Sequence, residues 1–260
     1  MSSIRLPAVA GLFYPDDPDE LHAMVAGFLA HAEGGPAPKA LIAPHAGYIY
    51  SGPIAASAYK RLREVRHLVQ RVVLLGPSHR VPFLGLAVST ATTFRTPLGD
   101  IPLDTDAIID ILELSPVTTL DEAHSMEHSL EVHLPFLQET LGEFTLVPLV
   151  VGDASADQVA EVLERLWGGP ETLIVISSDL SHYQPYEVAQ RLDRATSDAI
   201  EALDPDRIEF DHACGRVPVS GLLRAARRHG LTAHTVDLRN SGDTAGSRDQ
   251  VVGYGAYVLN

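Results

Sequence analysis

Val72-Val73-Leu74-Leu75, followed at once by Gly76-Pro77-Ser78-His79, decides how the rest of the chain is read. The four apolar residues show no polar alternation, which is the pattern of a strand covered on both faces. Gly76-Pro77 ends the run, and His79 falls in the turn beyond it. Working outward, Ala40-Leu41-Ile42-Ala43 and Leu173-Ile174-Val175-Ile176 have the same form. They end in Pro44-His45-Ala46-Gly47-Tyr48 and in Ser177-Ser178-Asp179-Leu180-Ser181-His182-Tyr183. Each of three buried strands therefore delivers a histidine just past its carboxyl end, the edge at which open α/β sheets bind ligands. If the strands are parallel neighbours, their histidines meet in one crevice. One loop histidine alone is more often satisfied by backbone; three at equivalent positions favour a site.

The intervening segments read as helices: Asp19 to His31, Pro53 to Val65 with proline in its first turn, and Asp104 to Leu114 behind an aspartate cap. Ser129 to Leu141, Ser155 to Trp167, Tyr186 to Leu203 and Pro218 to His229 follow. Further strands are read at residues 85–89, Phe144 to Val151, Leu231 to Leu238 and Val251 to Val258. The alternation predicts a single α/β domain over residues 1–260, with a mostly parallel or mixed central sheet and helices on both faces. Glu33-Gly34-Gly35-Pro36-Ala37-Pro38 separates a helix from a strand rather than two domains.

Composition narrows the function classes. A net charge of −15 opposes sequence-independent binding to nucleic acid, which needs clustered cations. No apolar run approaches the ~18 residues of a membrane span. Met1-Ser2-Ser3-Ile4-Arg5 lacks the basic flank and apolar core of a signal peptide, so a cytoplasmic location is expected. There is no P-loop and no Gly-x-Gly-x-x-Gly after a strand, so no nucleotide cofactor is expected. Gly76-Pro77-Ser78-His79-Arg80 begins like a nucleophile elbow, but Arg80 stands where glycine is required.

Two further segments carry unusual residues. His124-Ser125-Met126-Glu127-His128-Ser129-Leu130-Glu131-Val132-His133 holds three histidines and two glutamates. On one helix Glu127 and Glu131 would share a face, as would His124 and His128. An exposed acidic helix start would explain the carboxylates but not the histidines. His133 is expected to face the pocket and most of the others to lie behind it or at the surface. The only cysteine, Cys214, precedes Gly215-Arg216-Val217-Pro218 and the start of a helix. It is a core filler, a reactive thiol or a metal ligand. A helix N-terminus and an adjacent arginine would lower its pKa. Thiolate with imidazoles suits Zn²⁺, Cu or Fe²⁺ better than Mg²⁺ or Ca²⁺.

Taken together, the runs Pro7 to Pro15, Ala43 to Tyr48, Leu75 to His79, Glu127 to Phe136, Ser177 to His182 and Cys214 to Pro218 resemble the MEMO family, called AmmeMemoRadiSam system protein B in prokaryotes. The resemblance implies a fold similar to class III extradiol dioxygenases, whose non-haem iron is held by two histidines and a glutamate. Carried onto this chain, it assigns His45 and His79 as metal ligands, with Cys214 at the third position. His133, Asp179 and His182 would then line the pocket as acid/base and orienting groups. The implied metal is Fe²⁺ or Cu, with Zn²⁺ also suited to the donors. The cysteine departs from the dioxygenase pattern, so ring-opening chemistry does not transfer with the fold.

Two functions follow as expectations. One is a metal-dependent oxidoreductase acting on an unknown small molecule. The other is a non-catalytic module that docks a peptide or partner protein in the same crevice. The family name implies association with radical-SAM and AMMECR1-like proteins.

Overall fold

A computed structural model describes residues 3–209 and 211–260 of the chain. In chain order the strands are β1 (Ile4–Arg5), β2 (Ala40–Ala43), β3 (Arg71–Pro77), β4 (Leu86–Val88), β5 (Thr93–Thr96) and β6 (Gly99–Pro102). They continue with β7 (Val117–Thr119), β8 (Thr145–Val151), β9 (Thr172–Ser177), β10 (His182–Gln184), β11 (Ala233–Asn240) and β12 (Val251–Leu259). The α-helices are α1 (Pro18–His31), α2 (Tyr48–Tyr59), α3 (Thr105–Ile111), α4 (Asp121–Ser125), α5 (Leu134–Leu141), α6 (Ala156–Leu166), α7 (Tyr186–Glu201) and α8 (Arg216–Arg228).

Among the described residues, nine strands form one mixed sheet in the order β10-β12-β2-β9-β3-β8-β4-β7, with β11 added on β12. Its centre is parallel. β9 lies between β2 and β3 and runs parallel to both, with Ile42 opposite Ile176 and Val73 opposite Ile174. Every residue of β2 and β9 is buried, and so is β3 from Val72 to Pro77. That burial needs cover on both faces, and it explains why these strands read as continuous apolar runs. The three strands that carry His45, His79 and Ser177-to-His182 are thus parallel neighbours, and their carboxyl ends share one edge. No helix among the described residues is long and apolar enough to cross a membrane.

Helix caps follow the sequence where it offered capping chemistry. Asp17 accepts from the amides of Asp19 and Glu20, Asp104 from that of Ala107, and Ser155 and Gln158 form a reciprocal capping box. Helix α2 departs from the expectation of a start at Pro53. It begins at Tyr48, and Pro53 lies inside it. Tertiary bonds set this start: the Tyr48 amide donates to Phe13 O at 2.8 Å, and its hydroxyl donates to Val132 O at 2.7 Å. Three features were not read from the sequence. One is the small sheet β1-β5-β6, and another is the short strand β7. The third is β10, which pairs antiparallel with β12 and puts His182 on a strand instead of in a turn.

Candidate metal centre

The segment after α4 does not continue as one helix. It breaks at Met126 and resumes only as a 3-10 turn over Glu131–His133. Glu127 and Glu131 are both buried and point to different tasks, against the reading of an exposed acidic helix start. Glu131 takes a salt bridge from Arg5, the amides of Ala8 (2.7 Å) and Val9 (2.9 Å), and the Tyr14 hydroxyl (2.6 Å). It anchors the N-terminal segment across the site. Glu127 instead faces the carboxyl end of β3. Its oxygens accept from the His79 amide (2.7 Å), the His79 Nδ1 (2.9 Å) and the amides of His128 and Ser129 (2.9 Å each). Burial would raise the Glu127 pKa, but the hydrogen bonds and charge from His79 and the Ser129 amide outweigh it and hold the carboxyl at about 2. Gly76 packs tightly here: a Cβ would stand 2.8 Å from Ser129 Oγ and 2.9 Å from Leu130, so a larger residue would displace them.

These contacts bring three imidazoles together. Ligand atoms of His45, His79 and His128 all lie within 4.8 Å of one another. The His45 and His79 ring centroids are 5.1 Å apart, and His79 stacks on His128 at 4.6 Å. In His45 and His79 Nδ1 is committed to an oxygen. The Ser177 hydroxyl donates to Ser129 O at 2.6 Å, so it accepts from His45 Nδ1–H at 2.5 Å. His79 donates to Glu127, and His128 Nδ1 lies 3.3 Å from the same carboxylate oxygen. Nε2 is therefore the lone-pair nitrogen of His45 and of His79, the arrangement found behind metal-binding histidines. Burial and the neighbouring rings hold the His45 pKa well below normal, and burial with His79 holds His128 at about 4. His45 and His128 thus favour the neutral form that coordinates.

Cys214 falls outside this group of three but adjoins it. Its Sγ is 3.4 Å from His45 Nε2 and accepts from the Asp179 amide at 3.3 Å. Gly215 brings the turn this close: a Cβ there would stand 2.4 Å from Ser177 O. The thiol pKa runs opposite to the sequence expectation. Burial, and then the Asp179 carboxylate, push it well up, and the helix start with its arginine does not reverse this. The donors nevertheless fit a metal. Metal–nitrogen and metal–sulfur bonds of ~2.0–2.3 Å at a tetrahedral angle put N and S about 3.5 Å apart.

Asp179 is buried. Its Oδ1 accepts from the His45 amide at 2.8 Å, and its Oδ2 is 4.0 Å from His45 Nε2. Burial raises its pKa to about 6 against the hydrogen bond from His45. His182 is half-buried, with Nδ1 donating to Leu180 O at 2.8 Å, so Nε2 is its lone-pair nitrogen. His133 is fully buried in the core, with Nδ1 on the Tyr59 hydroxyl at 2.7 Å and Nε2 without a partner. His124 bonds to Ala87 O and packs on Phe94. The structure therefore gathers His45, His79, His128, Cys214, Asp179 and His182 around one edge, and seats His133 against α2. Sequence reasoning left His128 and Glu127 among the surrounding residues. The signal that could have found them was the density of histidine and glutamate between residues 124 and 133.

A mixed α/β fold with imidazoles and a thiol converging at the carboxyl ends of parallel strands defines a protein with a candidate metal-binding crevice. The chain belongs to the Memo-like protein family, whose sequence model matches residues 5–258. It is 40% identical to a MEMO1 family protein of Aeropyrum pernix, covering 97% of this chain and 98% of the relative. It is 39% identical to one from Aquifex aeolicus, covering 96% and 97%. An uncharacterized Escherichia coli K12 protein of known structure is similar in fold, with a TM-score of 0.56 at 14% identity over 84% of this chain and 98% of that one.

Proposed function

We propose that the crevice is a metal-dependent redox site in which His45, His79 and Cys214 hold Fe²⁺ or Cu, with Zn²⁺ as a competitor. The observation that carries this reading is the locking of Nδ1 in His45 and His79, which leaves Nε2 of both as the lone-pair nitrogen in a cluster of three imidazoles within 4.8 Å. The mutual distances favour His128 as a further nitrogen donor beside the sulfur. Fe²⁺ or Cu would supply one-electron chemistry to a small-molecule substrate at an open position.

The chain's own groups do the rest. Glu127 fixes the His79 ring and backbone, and Ser177 fixes His45. His182, with Nδ1 tied to Leu180 O, takes a proton at Nε2. Asp179, with a pKa near 6, holds the loop of His45 through its amide and keeps a protonatable oxygen beside the ring. His133 is the lesser candidate for proton transfer, because its Nδ1 is engaged by Tyr59 inside the core.

The test is O₂ uptake by Fe²⁺- or Cu-loaded protein with a panel of catechols and thiols, beside Cys214→Ser and His182→Gln. Uptake that needs the metal and is lost in Cys214→Ser supports the reading. A fully loaded protein that consumes no O₂ with any of them contradicts it, and favours the same crevice as a docking site for a peptide or for radical-SAM and AMMECR1-like proteins.

A further inference from the structure

A second cavity, sharing no residue with the metal centre, lies between α1, α2 and β11. It encloses about 890 Å³, within the range of small-molecule sites. One wall is apolar, formed by Met24, Phe28, Pro53 and Val236. The other carries charge. Asp237 is bound through both oxygens by Arg239 (2.9 and 2.5 Å) and accepts the Ser57 hydroxyl at 2.8 Å, so its charge is neutralised within the protein. Arg61 has no such partner. No carboxylate among the described residues pairs with it, and its Nε is buried without a hydrogen-bond acceptor.

Gly35 lies so close that a Cβ there would fall 1.8 Å from Arg61 Nη1. Strand β11 carries a register shift between Thr235 and Asp237, which leaves Val236 unpaired and turned to the cavity together with Asp237 and Arg239. Bulges of this kind re-aim side chains beside binding sites. Glu33 lines the rim but is exposed, where water and salt screen it.

We infer that this cavity binds an organic anion with an apolar body, whose carboxylate pairs with Arg61 while the body lies on Phe28, Met24 and Val236. A guanidinium without a carboxylate partner recognises a ligand carboxylate bidentately.

The test is calorimetric titration of the full chain with 2-naphthoate, and with uncharged 2-naphthol as its control. Two variants accompany the wild type. Arg61→Gln removes the charge, and Gly27→Trp fills the cavity from α1, at a position where a Cβ meets nothing within 4 Å. Circular dichroism confirms that both remain folded. The expected result is saturable binding of one 2-naphthoate per chain, weakened at least about tenfold by Arg61→Gln, lost in Gly27→Trp, and at least about tenfold weaker for 2-naphthol. Three results overturn the inference: no saturable binding to wild type, equal binding of acid and alcohol, or binding indifferent to Arg61→Gln.

Discussion

The two ends of β2 hold ionisable side chains in opposite states. At the amino end, Lys39 Nζ donates to the carbonyls of Trp167 (2.5 Å), Gly169 (2.8 Å) and Thr172 (2.7 Å). An ammonium has three donors, so nothing is left for a ligand. At the carboxyl end, His45 spends Nδ1 on Ser177 and keeps Nε2 beside Cys214 and the rings of His79 and His128. Both ends are ordered by hydrogen bonds, yet only one retains unused capacity. Full satisfaction marks a group that holds the fold together. A locked ring with one free nitrogen marks a place prepared for something else. Glu131 belongs with Lys39 in this contrast; Glu127, equally satisfied, is the group that locks the His79 ring.

The largest expected effect is on the saturated side. Glu131→Ala leaves Arg5 buried and unpaired and should cost about 3–5 kcal/mol in denaturant unfolding. Lys39→Met should cost about 1.5–3 kcal/mol and leave metal affinity unchanged; a variant that loses metal would break the contrast. Glu127→Gln should do the reverse, weakening metal binding by about 10–100-fold in competition with a chelator, because His79 and His128 lose the carboxylate that orients them.

A pH slope in the metal-free protein is expected as well. His124 and His128 are held at about 4, His133 at about 3 and His45 well below normal, in each case chiefly by burial. Between pH 6.5 and 4 the unfolded chain therefore binds protons at these rings that the folded chain does not, and stability falls as pH falls. Asp179 and Asp193, both raised by burial to about 6, act in the opposite direction between 6 and 3.8. Four histidines against two aspartates leave a net loss on acidification, which urea unfolding at pH 7, 6 and 5 would measure. His128→Gln should flatten that loss.

How much of this was legible follows from the kind of interaction involved. Strands β2, β3 and β9 were readable because burial on both faces leaves an unbroken apolar run, and Pro44, Gly76-Pro77 and Ser177-Ser178 punctuate their ends. That reading also placed His45 and His79 correctly at the shared edge. Within residues 124–133 helical spacing sets Glu127 and Glu131 on one face, but periodicity cannot register that Glu127 captures the amides of His128 and Ser129 and turns the chain. His128 was overlooked with it. The Cys214 thiol was judged from its neighbours in sequence, whereas its surroundings are set by the carboxylate of Asp179, 35 residues away, and by burial. The start of α2 escaped for the same reason, since Phe13 and Val132 lie far from Tyr48 along the chain.

The central claim is that the free Nε2 atoms of this edge constitute a metal site. Its most direct test is cobalt titration of the chelator-treated, untagged chain beside His45→Ala, His79→Ala and Cys214→Ser, read by visible absorption and by bound metal per chain. The account predicts one equivalent bound by the wild type, loss of binding in both alanine variants, and loss of the thiolate-to-cobalt charge-transfer band in Cys214→Ser. A wild type that binds no cobalt, or alanine variants that bind it as the wild type does, would contradict it.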